Sequence, residues 1–187
     1  ERDWASGKIA RLNRQNPRPA VFLDRDGVLN REVDHLRSAD DLDLLPGVAE
    51  ALRRLNKSDF LALVVTNQPG LAKGFFTETD LLAIHRRLET ELGRHGVYLD
   101  RIYVCPHHPE RGFAGEVAAL KIACTCRKPG TGLVERARRE FNVDLSRSFF
   151  VGDSTTDLQT ARNAGLRPVL VRTGYGGRDG RFAAQPL

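Results

Sequence analysis

An apolar run that ends in two aspartates constrains the fold of this chain more than any other feature. Residues 20–30 read Ala-Val-Phe-Leu-Asp-Arg-Asp-Gly-Val-Leu-Asn. A short, wholly apolar run is typical of a strand buried on both faces of a parallel sheet. Ligands bind at the carboxyl ends of such strands, and Gly27 lets the backbone turn there. The run therefore predicts a buried strand that carries Asp24 and Asp26 at a ligand site, although an Asp-Gly turn or a calcium loop would share this pattern.

The composition is that of a single globular domain. The chain has 187 residues, of which 41% are hydrophobic and 28% are charged, and no apolar stretch approaches the ~20 residues of a membrane span. The formal charge of +5 comes from 29 basic and 24 acidic residues. Because the basic residues are dispersed, they favour the attraction of a small phosphorylated metabolite over the binding of nucleic acid. We expect a cytoplasmic protein with no nucleic-acid or membrane partner.

Predicted strands and helices alternate along the chain. Apolar runs predict further strands over residues 61–65, 101–105, 149–152 and 168–171. Helical spacing and capping residues predict helices after Pro46-Gly47, after Thr77–Asp80, and over residues 130–141 and 155–164. This alternation predicts an α/β fold, a doubly wound parallel sheet with helices on both faces. Residues 1–18 are expected to form a linker, residues 19–174 the folded domain, and residues 175–187 a tail that, like Gly174, is expected to fray.

Polar residues stand at the ends of three predicted strands and before one helix. In chain order they are Asp24, Asp26, Thr66, Asn67, Lys128, Asp153, Ser154 and Asp157. The carboxyl ends of parallel strands meet at one edge of the sheet, so these residues predict one phosphate-handling site. Taken singly, Thr66 and Asn67 could form a turn, and Asp153 could cap a helix.

These motifs resemble those of the haloacid dehalogenase (HAD) superfamily of phosphatases. The resemblance runs from about residue 21 to residue 172 and rests on Asp24-x-Asp26-Gly-Val, Thr66-Asn67, Lys128-Pro and Gly-Asp153-Ser-x-x-Asp157. It implies a Rossmann-like HAD core in which Asp24 is the nucleophile that forms an aspartyl-phosphate. Asp26 would protonate the leaving oxygen and then activate water. Thr66, Asn67 and Lys128 would hold the other phosphoryl oxygens.

The resemblance also implies a catalytic Mg²⁺. Its protein ligands would be Asp24, Asp153 and the backbone carbonyl of Asp26, which are oxygen donors of the kind that this ion prefers. A cation is required because a doubly charged phosphate repels an attacking carboxylate. Asp157 would contact Lys128 or a backbone amide rather than the ion.

The three cysteines of the chain lie in two short segments that also contain a histidine. The candidate ligands are Cys105, His107, Cys124 and Cys126. Three thiolates and one imidazole form the closed tetrahedral set of a structural zinc site, although unrelated buried cysteines would share the pattern. The resembling proteins use Cys-x-His, which favours His107 over His108 and leaves His108 available beside the substrate. We expect a small zinc loop over residues 105–126 that fixes the direction of Arg127 and Lys128.

Two zinc-containing branches of the superfamily combine these motifs: bacterial D-glycero-D-manno-heptose 1,7-bisphosphate phosphatases and histidinol-phosphate phosphatases. The long connection between His107 and Cys124 is similar to that of the heptose branch. By this resemblance, the substrate-binding residues are Glu32, Asp34, His35, Asn67, Gln68, Arg127 and Ser154. Arg127 would bind the phosphate that is not cleaved. No insertion after the first two motifs is large enough for a cap domain, so loops must shape the pocket.

The resemblance thus implies a magnesium-dependent phosphatase that releases the C7 phosphate of heptose 1,7-bisphosphate in nucleotide-heptose and lipopolysaccharide precursor synthesis. The alternatives are a histidinol-phosphate phosphatase, a nucleic-acid 3′-phosphatase and a zinc-stabilised module without catalysis; the intact acids and Lys128 argue against the last. Residues 1–16 resemble a connector that follows sugar nucleotidyltransferase domains, and the chain contains no methionine. We therefore expect either a monomer or one domain of a bifunctional chain.

Overall fold

The computed structural model describes residues 16–183, which fold around one parallel sheet. Its strands are β1 (Ala20–Leu23), β2 (Leu61–Asn67), β3 (Arg101–Cys105), β4 (Phe149–Gly152) and β5 (Arg167–Leu170). Their order is β3-β2-β1-β4-β5, and every neighbouring pair is parallel. Because β1 is central, the two aspartates that follow it lie at the middle of the carboxyl edge.

Within residues 16–183, five α-helices connect the strands. They are α1 (Val48–Asn56), α2 (Gly70–Lys73), α3 (Glu78–Arg94), α4 (Gly132–Phe141) and α5 (Thr155–Asn163). Single 3₁₀ turns occur at Ala39–Asp41, Ala118–Leu120 and Leu145–Arg147. Helix α3 begins as predicted, because Thr77 accepts a hydrogen bond from the Asp80 amide while Asp80 accepts one from the Thr77 amide, which satisfies both free donors.

The sheet buries side chains on both faces, which confirms the doubly wound fold. Alternate residues of a strand point to opposite faces, so Phe22 packs with the apolar side of α4 and Leu23 with that of α1 and α3. Both side chains are buried. Full burial of a side chain of this size stabilises the fold by roughly 1.5–3 kcal/mol, so the apolar run of β1 anchors both layers.

Some element boundaries differ from those predicted. The second strand was predicted to end at residue 65, yet Thr66 and Asn67 are the last residues of β2 because they pair with Val104 and Cys105 of β3. Helix α4 starts at Gly132 instead of residue 130, since the Gly130 amide still donates to the Arg127 carbonyl in a turn. These shifts place the polar residues of β2 on the rigid sheet.

The C-terminal segment was expected to fray, and this prediction is wrong for the described residues 174–183. The Tyr175 amide donates to Asp153 Oδ2 over 2.7 Å, and Asp179 accepts hydrogen bonds from the amide and hydroxyl of Thr155. Gly174 and Gly177 have positive φ values of 57° and 79°, which fold the chain back on the carboxyl edge. The segment is therefore part of the site.

The connections after β1 and β2 are compact. The first contains one 3₁₀ turn before α1, and the second contains α2 and α3, so neither holds a cap domain. No helix within residues 16–183 is both long enough and apolar enough to cross a membrane. The predicted connector at residues 1–16 lies almost wholly outside the described residues. Shortly after it, the backbone of Arg18 pairs with that of Asn142 and Asp144.

Candidate active site

All residues predicted for catalysis, substrate binding or magnesium binding surround one cavity at the carboxyl edge of the sheet. They are Asp24, Asp26, Glu32, Asp34, His35, Thr66, Asn67, Gln68, Arg127, Lys128, Asp153 and Ser154. Each comes from a strand end or from a connection that begins there. The topology therefore assembles the cavity from segments that are far apart in the sequence.

The centre of the cavity is a buried cation between two carboxylates. Lys128 Nζ lies 2.8 Å from Asp24 Oδ2 and 2.7 Å from Asp157 Oδ1. Burial raises the pKa of Asp24, and the nearby Asp157 charge raises it further, while Lys128 only partly offsets both effects. Burial acts in the opposite direction on Lys128, yet the two carboxylates raise its pKa above the ordinary value and keep it protonated. One cation thus faces two carboxylates, and an additional positive charge at this centre would be favourable.

Asp153 completes a set of carboxylates that fits a hard cation. Ligand oxygens of Asp24, Asp153 and Asp157 lie within 4.8 Å of one another. Burial raises the pKa of Asp153 to about 6, a cost that a bound divalent cation would offset. Gly27 is required here, because its φ is 76° and a Cβ atom would overlap the carboxylate of Asp153.

Asp157 supports this centre, as the sequence predicted. One of its oxygens accepts from Lys128, and the other accepts from the amide and hydroxyl of Ser154. Ser154 in turn caps α5 by accepting a hydrogen bond from the Asp157 amide. Both oxygens of Asp157 are thus engaged with the protein. The same is true of Asp24, whose Oδ1 accepts from the Arg25 amide and whose Oδ2 faces Lys128, so the choice of Asp24 over Asp157 as a metal ligand stays a prediction from the resemblance.

Asp26 is held by a dense set of donors. Arg25 contacts both carboxylate oxygens of Asp26, with its NH2 nitrogen 2.9 Å from Oδ1 and 2.8 Å from Oδ2. Asn30 donates to Oδ1 and Gln68 donates to Oδ2. Burial alone would raise the pKa of Asp26, but Arg25 and these hydrogen bonds outweigh burial and lower it. Asp26 is therefore an oriented carboxylate before a substrate arrives.

The polar residues at the end of β2, and Gln68 directly after it, are engaged with the protein as well as with the cavity. The Asn67 side chain accepts a hydrogen bond from the Lys128 amide and donates to the Lys128 carbonyl. Gln68 Nε2 donates to Thr66 Oγ1 over 3.0 Å. Asn67 thus fixes the backbone that presents Lys128, while its predicted contact with phosphate stays a prediction.

The outer part of the cavity mixes acids and bases. Glu32 accepts a hydrogen bond from the Asp34 amide over 2.6 Å, and its burial, together with the Asp26 charge, raises its pKa to about 7. His35 Nε2 lies 3.4 Å from Lys73 Nζ. Carboxylates, imidazole and ammonium together offer the donors and acceptors that sugar hydroxyls require.

The predicted zinc ligands converge beside this cavity. The sulfur atoms of Cys105, Cys124 and Cys126 are 3.2–3.6 Å apart, and His107 Nδ1 lies 3.2 Å from the sulfur of Cys126. All three cysteines are free thiols. Tetrahedral bonds of about 2.3 Å from zinc to sulfur would require sulfur separations near 3.8 Å. The donor set of three cysteines and one histidine therefore fits a zinc ion, although its sulfur atoms lie closer together than they would around a bound ion.

The cysteine cluster is linked directly to the cavity through Arg127. A guanidinium nitrogen of Arg127 donates to the carbonyl of His107 over 3.3 Å. His108 was expected to be exposed beside the substrate; it lines the cavity but is buried, because its ring packs edge-on against Phe113. One hydrogen bond thus connects the Arg127 side chain to the backbone of the cluster, and a role of the cluster in fixing the direction of Arg127 stays a prediction.

Several residues around the cavity were not predicted from the sequence. Tyr175, Asp179 and Arg181 reach it from the C-terminal segment, and Lys73 reaches it from α2. A signal for the first three existed in the repeated glycines of residues 174–180, all four of which have positive φ. Such spacing is typical of a folded turn as well as of a loose tail.

The site is that of a HAD-like phosphoric monoester hydrolase, because the fold brings together Asp24 and Asp26 with Lys128 and Asp153. A family described as HAD-hydrolase-like matches residues 125–186. The chain belongs to the family of D-glycero-D-manno-heptose-1,7-bisphosphate 7-phosphatases. The enzyme of that name from Thermosynechococcus vestitus is 45% identical over 177 residues, covering 91% of this chain and 89% of its own. The Escherichia coli K12 enzyme named D-glycero-beta-D-manno-heptose-1,7-bisphosphate 7-phosphatase is 41% identical over 158 residues, covering 83% and 80%.

A solved structure supports the same assignment. The D,D-heptose 1,7-bisphosphate phosphatase from B. bronchiseptica, crystallised with magnesium and phosphate, is 40% identical. Its TM-score is 0.74, and the match covers 84% of this chain and 83% of that chain. The predictions of a HAD-type fold and of a phosphatase are confirmed.

Proposed function

We propose that this protein hydrolyses the C7 phosphate of D-glycero-D-manno-heptose 1,7-bisphosphate. The proposal rests on one observation, which is that a nucleophile, an oriented proton carrier and a buried cation converge in one cavity. The residues are Asp24, Asp26, Lys128 and Asp153. Lys73, Arg127 and Arg181 add positive charge around the same cavity, which suits a substrate with a second phosphate.

Asp24 attacks phosphorus and forms an aspartyl-phosphate as the bond to the sugar oxygen breaks. Asp26 is a carboxylate in the free protein, so it takes up a proton as the negatively charged substrate binds beside it, because a nearby like charge raises a carboxyl pKa. It gives this proton to the sugar oxygen and later takes one from the water that hydrolyses the intermediate. Lys128 faces Asp24 and neutralises charge on the phosphoryl group, while Thr66 orients its oxygens. Positioning and electrostatic stabilisation supply most of the rate in such reactions.

Two metal ions fit the residues of this site. Asp24, Asp153 and the Asp26 carbonyl would hold Mg²⁺, whose charge lowers the repulsion between carboxylate and phosphate. Zinc would be held by Cys105, His107, Cys124 and Cys126 and would serve a structural role. The relative from B. bronchiseptica was crystallised with magnesium, which supports the first assignment.

The remaining sugar would be held by Glu32, Asp34 and His35 on one side of the cavity, and Arg127 would bind the phosphate that is not cleaved. Glu32 and Asp34 already share a hydrogen bond, so they present a fixed set of acceptors. A cytoplasmic location would agree with free thiols at the cysteine cluster. A link to a sugar nucleotidyltransferase domain stays a hypothesis.

A comparison of substrates tests the proposal. With magnesium present, we expect kcat/KM for heptose 1,7-bisphosphate to exceed that for histidinol phosphate and for sugar monophosphates, with release of the C7 phosphate followed by ³¹P NMR. Faster turnover of histidinol phosphate would assign the other branch. Failure to hydrolyse any phosphate ester would overturn the proposed function.

A further inference from the structure

Two side chains behind Asp26 have no part in the mechanism described above. Arg25 lies between the two catalytic aspartates in sequence, yet its side chain is completely buried and does not line the cavity. Its NH1 nitrogen lies 3.2 Å from Nε2 of His85, a residue of α3. Burial of an arginine destabilises a fold unless the nitrogen donors of its guanidinium group have hydrogen-bond partners.

We infer that Arg25 and His85 act as positioning residues that fix the carboxylate of Asp26 for proton transfer. The inference rests on the proposed function, in which Asp26 is the proton carrier. Arg25 acts on Asp26 directly, while His85 acts one step further away by holding Arg25.

The hydrogen bonds assign a distinct task to each nitrogen of Arg25. The Nε and NH2 nitrogens contact Asp26 at 2.8–3.2 Å and so restrict rotation of its carboxylate. The NH1 nitrogen faces His85 instead. Because arginine can only donate, His85 Nε2 must accept, which places the imidazole proton on Nδ1.

The state of His85 suits this task. Burial and the Arg25 charge lower the pKa of His85 to about 4, so the ring is neutral near pH 7 and Nε2 keeps its lone pair. The side chain is only partly buried in α3, so a substitution there disturbs packing less than one at Arg25. His85 is therefore the better position for an experiment.

The chemistry supplies a readout that a purely structural role would not affect. A sugar alkoxide is a poor leaving group and needs a proton as its bond to phosphorus breaks, whereas p-nitrophenolate leaves without one. A misoriented Asp26 should therefore slow hydrolysis of the sugar phosphate much more than phosphorylation of Asp24 by p-nitrophenyl phosphate.

The test compares His85→Leu, which removes the acceptor, with His85→Gln, whose amide oxygen can occupy the place of Nε2. The substrates are heptose 1,7-bisphosphate and p-nitrophenyl phosphate, with rapid-mixing kinetics to observe the phosphorylation step. We expect His85→Leu to lower the rate for the sugar phosphate by about 10-fold and that for the aryl phosphate by less than about 2-fold. His85→Gln should restore most of the loss.

The control is His95→Leu, an exposed histidine just beyond the end of α3, which should leave both rates unchanged. Equal losses on both substrates, or no loss in a folded His85→Leu protein, would overturn the inference. If the leucine variant does not fold, His85→Asn, whose shorter amide cannot reach Arg25, provides the same comparison. Inactivity of the unmodified enzyme on both esters would instead refute the proposed function.

Discussion

The two candidate metal centres of this protein differ in how their negative charge is balanced before a metal ion binds. At the carboxylate centre, Lys128 already lies between Asp24 and Asp157 at 2.7–2.8 Å, so the protein supplies part of the required positive charge. At the cysteine centre, burial raises the pKa of Cys105, and the neighbouring thiol of Cys126 raises it further. Burial also raises the pKa of Cys126, so the thiols of Cys105 and Cys126 become thiolates only when a metal replaces their protons. The first centre should therefore fold without its metal, whereas the second should depend on it.

The largest expected effect comes from Asp24→Asn at the carboxylate centre. Activity should fall by about 10⁴-fold or more, because the nucleophile is lost. The thermal midpoint of the metal-free protein should stay constant or rise, since burial of this carboxylate is unfavourable. Phosphate release and thermal unfolding measure the two effects. Asp40→Asn, on an exposed turn, should change neither, and substantial activity in Asp24→Asn would rule out the mechanism.

At the cysteine centre, Cys126→Ser should act mainly on stability. Loss of one ligand should lower the free energy of unfolding by more than about 4 kcal/mol, as expected for the loss of a structural metal. Activity should fall together with stability, because Arg127 and Lys128 follow directly in the chain. Denaturant unfolding and bound-zinc analysis test this, with the exposed Thr125→Ser as the control. Unchanged stability and no bound zinc in the parent protein would contradict the assignment.

Arg127→Lys probes the connection between the two centres. Lysine keeps the charge but loses the planar fork that matches a phosphate. We expect KM for the bisphosphate to rise about 10-fold, with a small change in kcat and no change in KM for a sugar with a single phosphate. Steady-state kinetics on both substrates provide the measurement. Arg139→Lys, on the exposed side of α4, is the matched control, and equal changes for both substrates would contradict the role of Arg127.

The smallest expected effect concerns pH. The raised pKa values of about 6 for Asp153 and about 7 for Glu32, with the raised value of Asp24, mean that the metal-free fold binds protons that the unfolded chain has released. Below about pH 4 these carboxyl groups are protonated in both the folded and the unfolded chain and do not change the free energy of unfolding. They lower it as pH rises through their pKa values in the folded protein. Mg²⁺ should therefore raise the thermal midpoint by a few degrees more at pH 7.5 than at pH 5.5.

Midpoints measured with and without Mg²⁺ at each pH isolate this effect from the histidines. His35, His85 and His108 have lowered pKa values, so they add stability as pH rises over part of the same range. Their contribution cancels in the difference between the two series. A magnesium effect that is independent of pH would contradict the link to these carboxylates.

Much of the site could be predicted because each of its motifs is local. Asp24, Thr66 and Asp153 stand at strand ends, and parallel topology alone brings those ends together. The role of Arg25 could not be predicted, since a charged residue between two site residues is more often exposed, and its partner His85 is sixty positions away. The C-terminal segment has the composition of a loose tail, and its contacts with Asp153 and Thr155 distinguish it from one.

The strand order also affects how the chain can misassemble. Strand β1 pairs with β2, which follows it closely, and with β4, which follows more than a hundred residues later. A chain that has not yet added β4 leaves one edge of β1 unpaired, and that strand is entirely apolar. Unpaired apolar edges recruit strands from other molecules. Slow docking of the second half of the chain would therefore favour aggregation before an active enzyme could form.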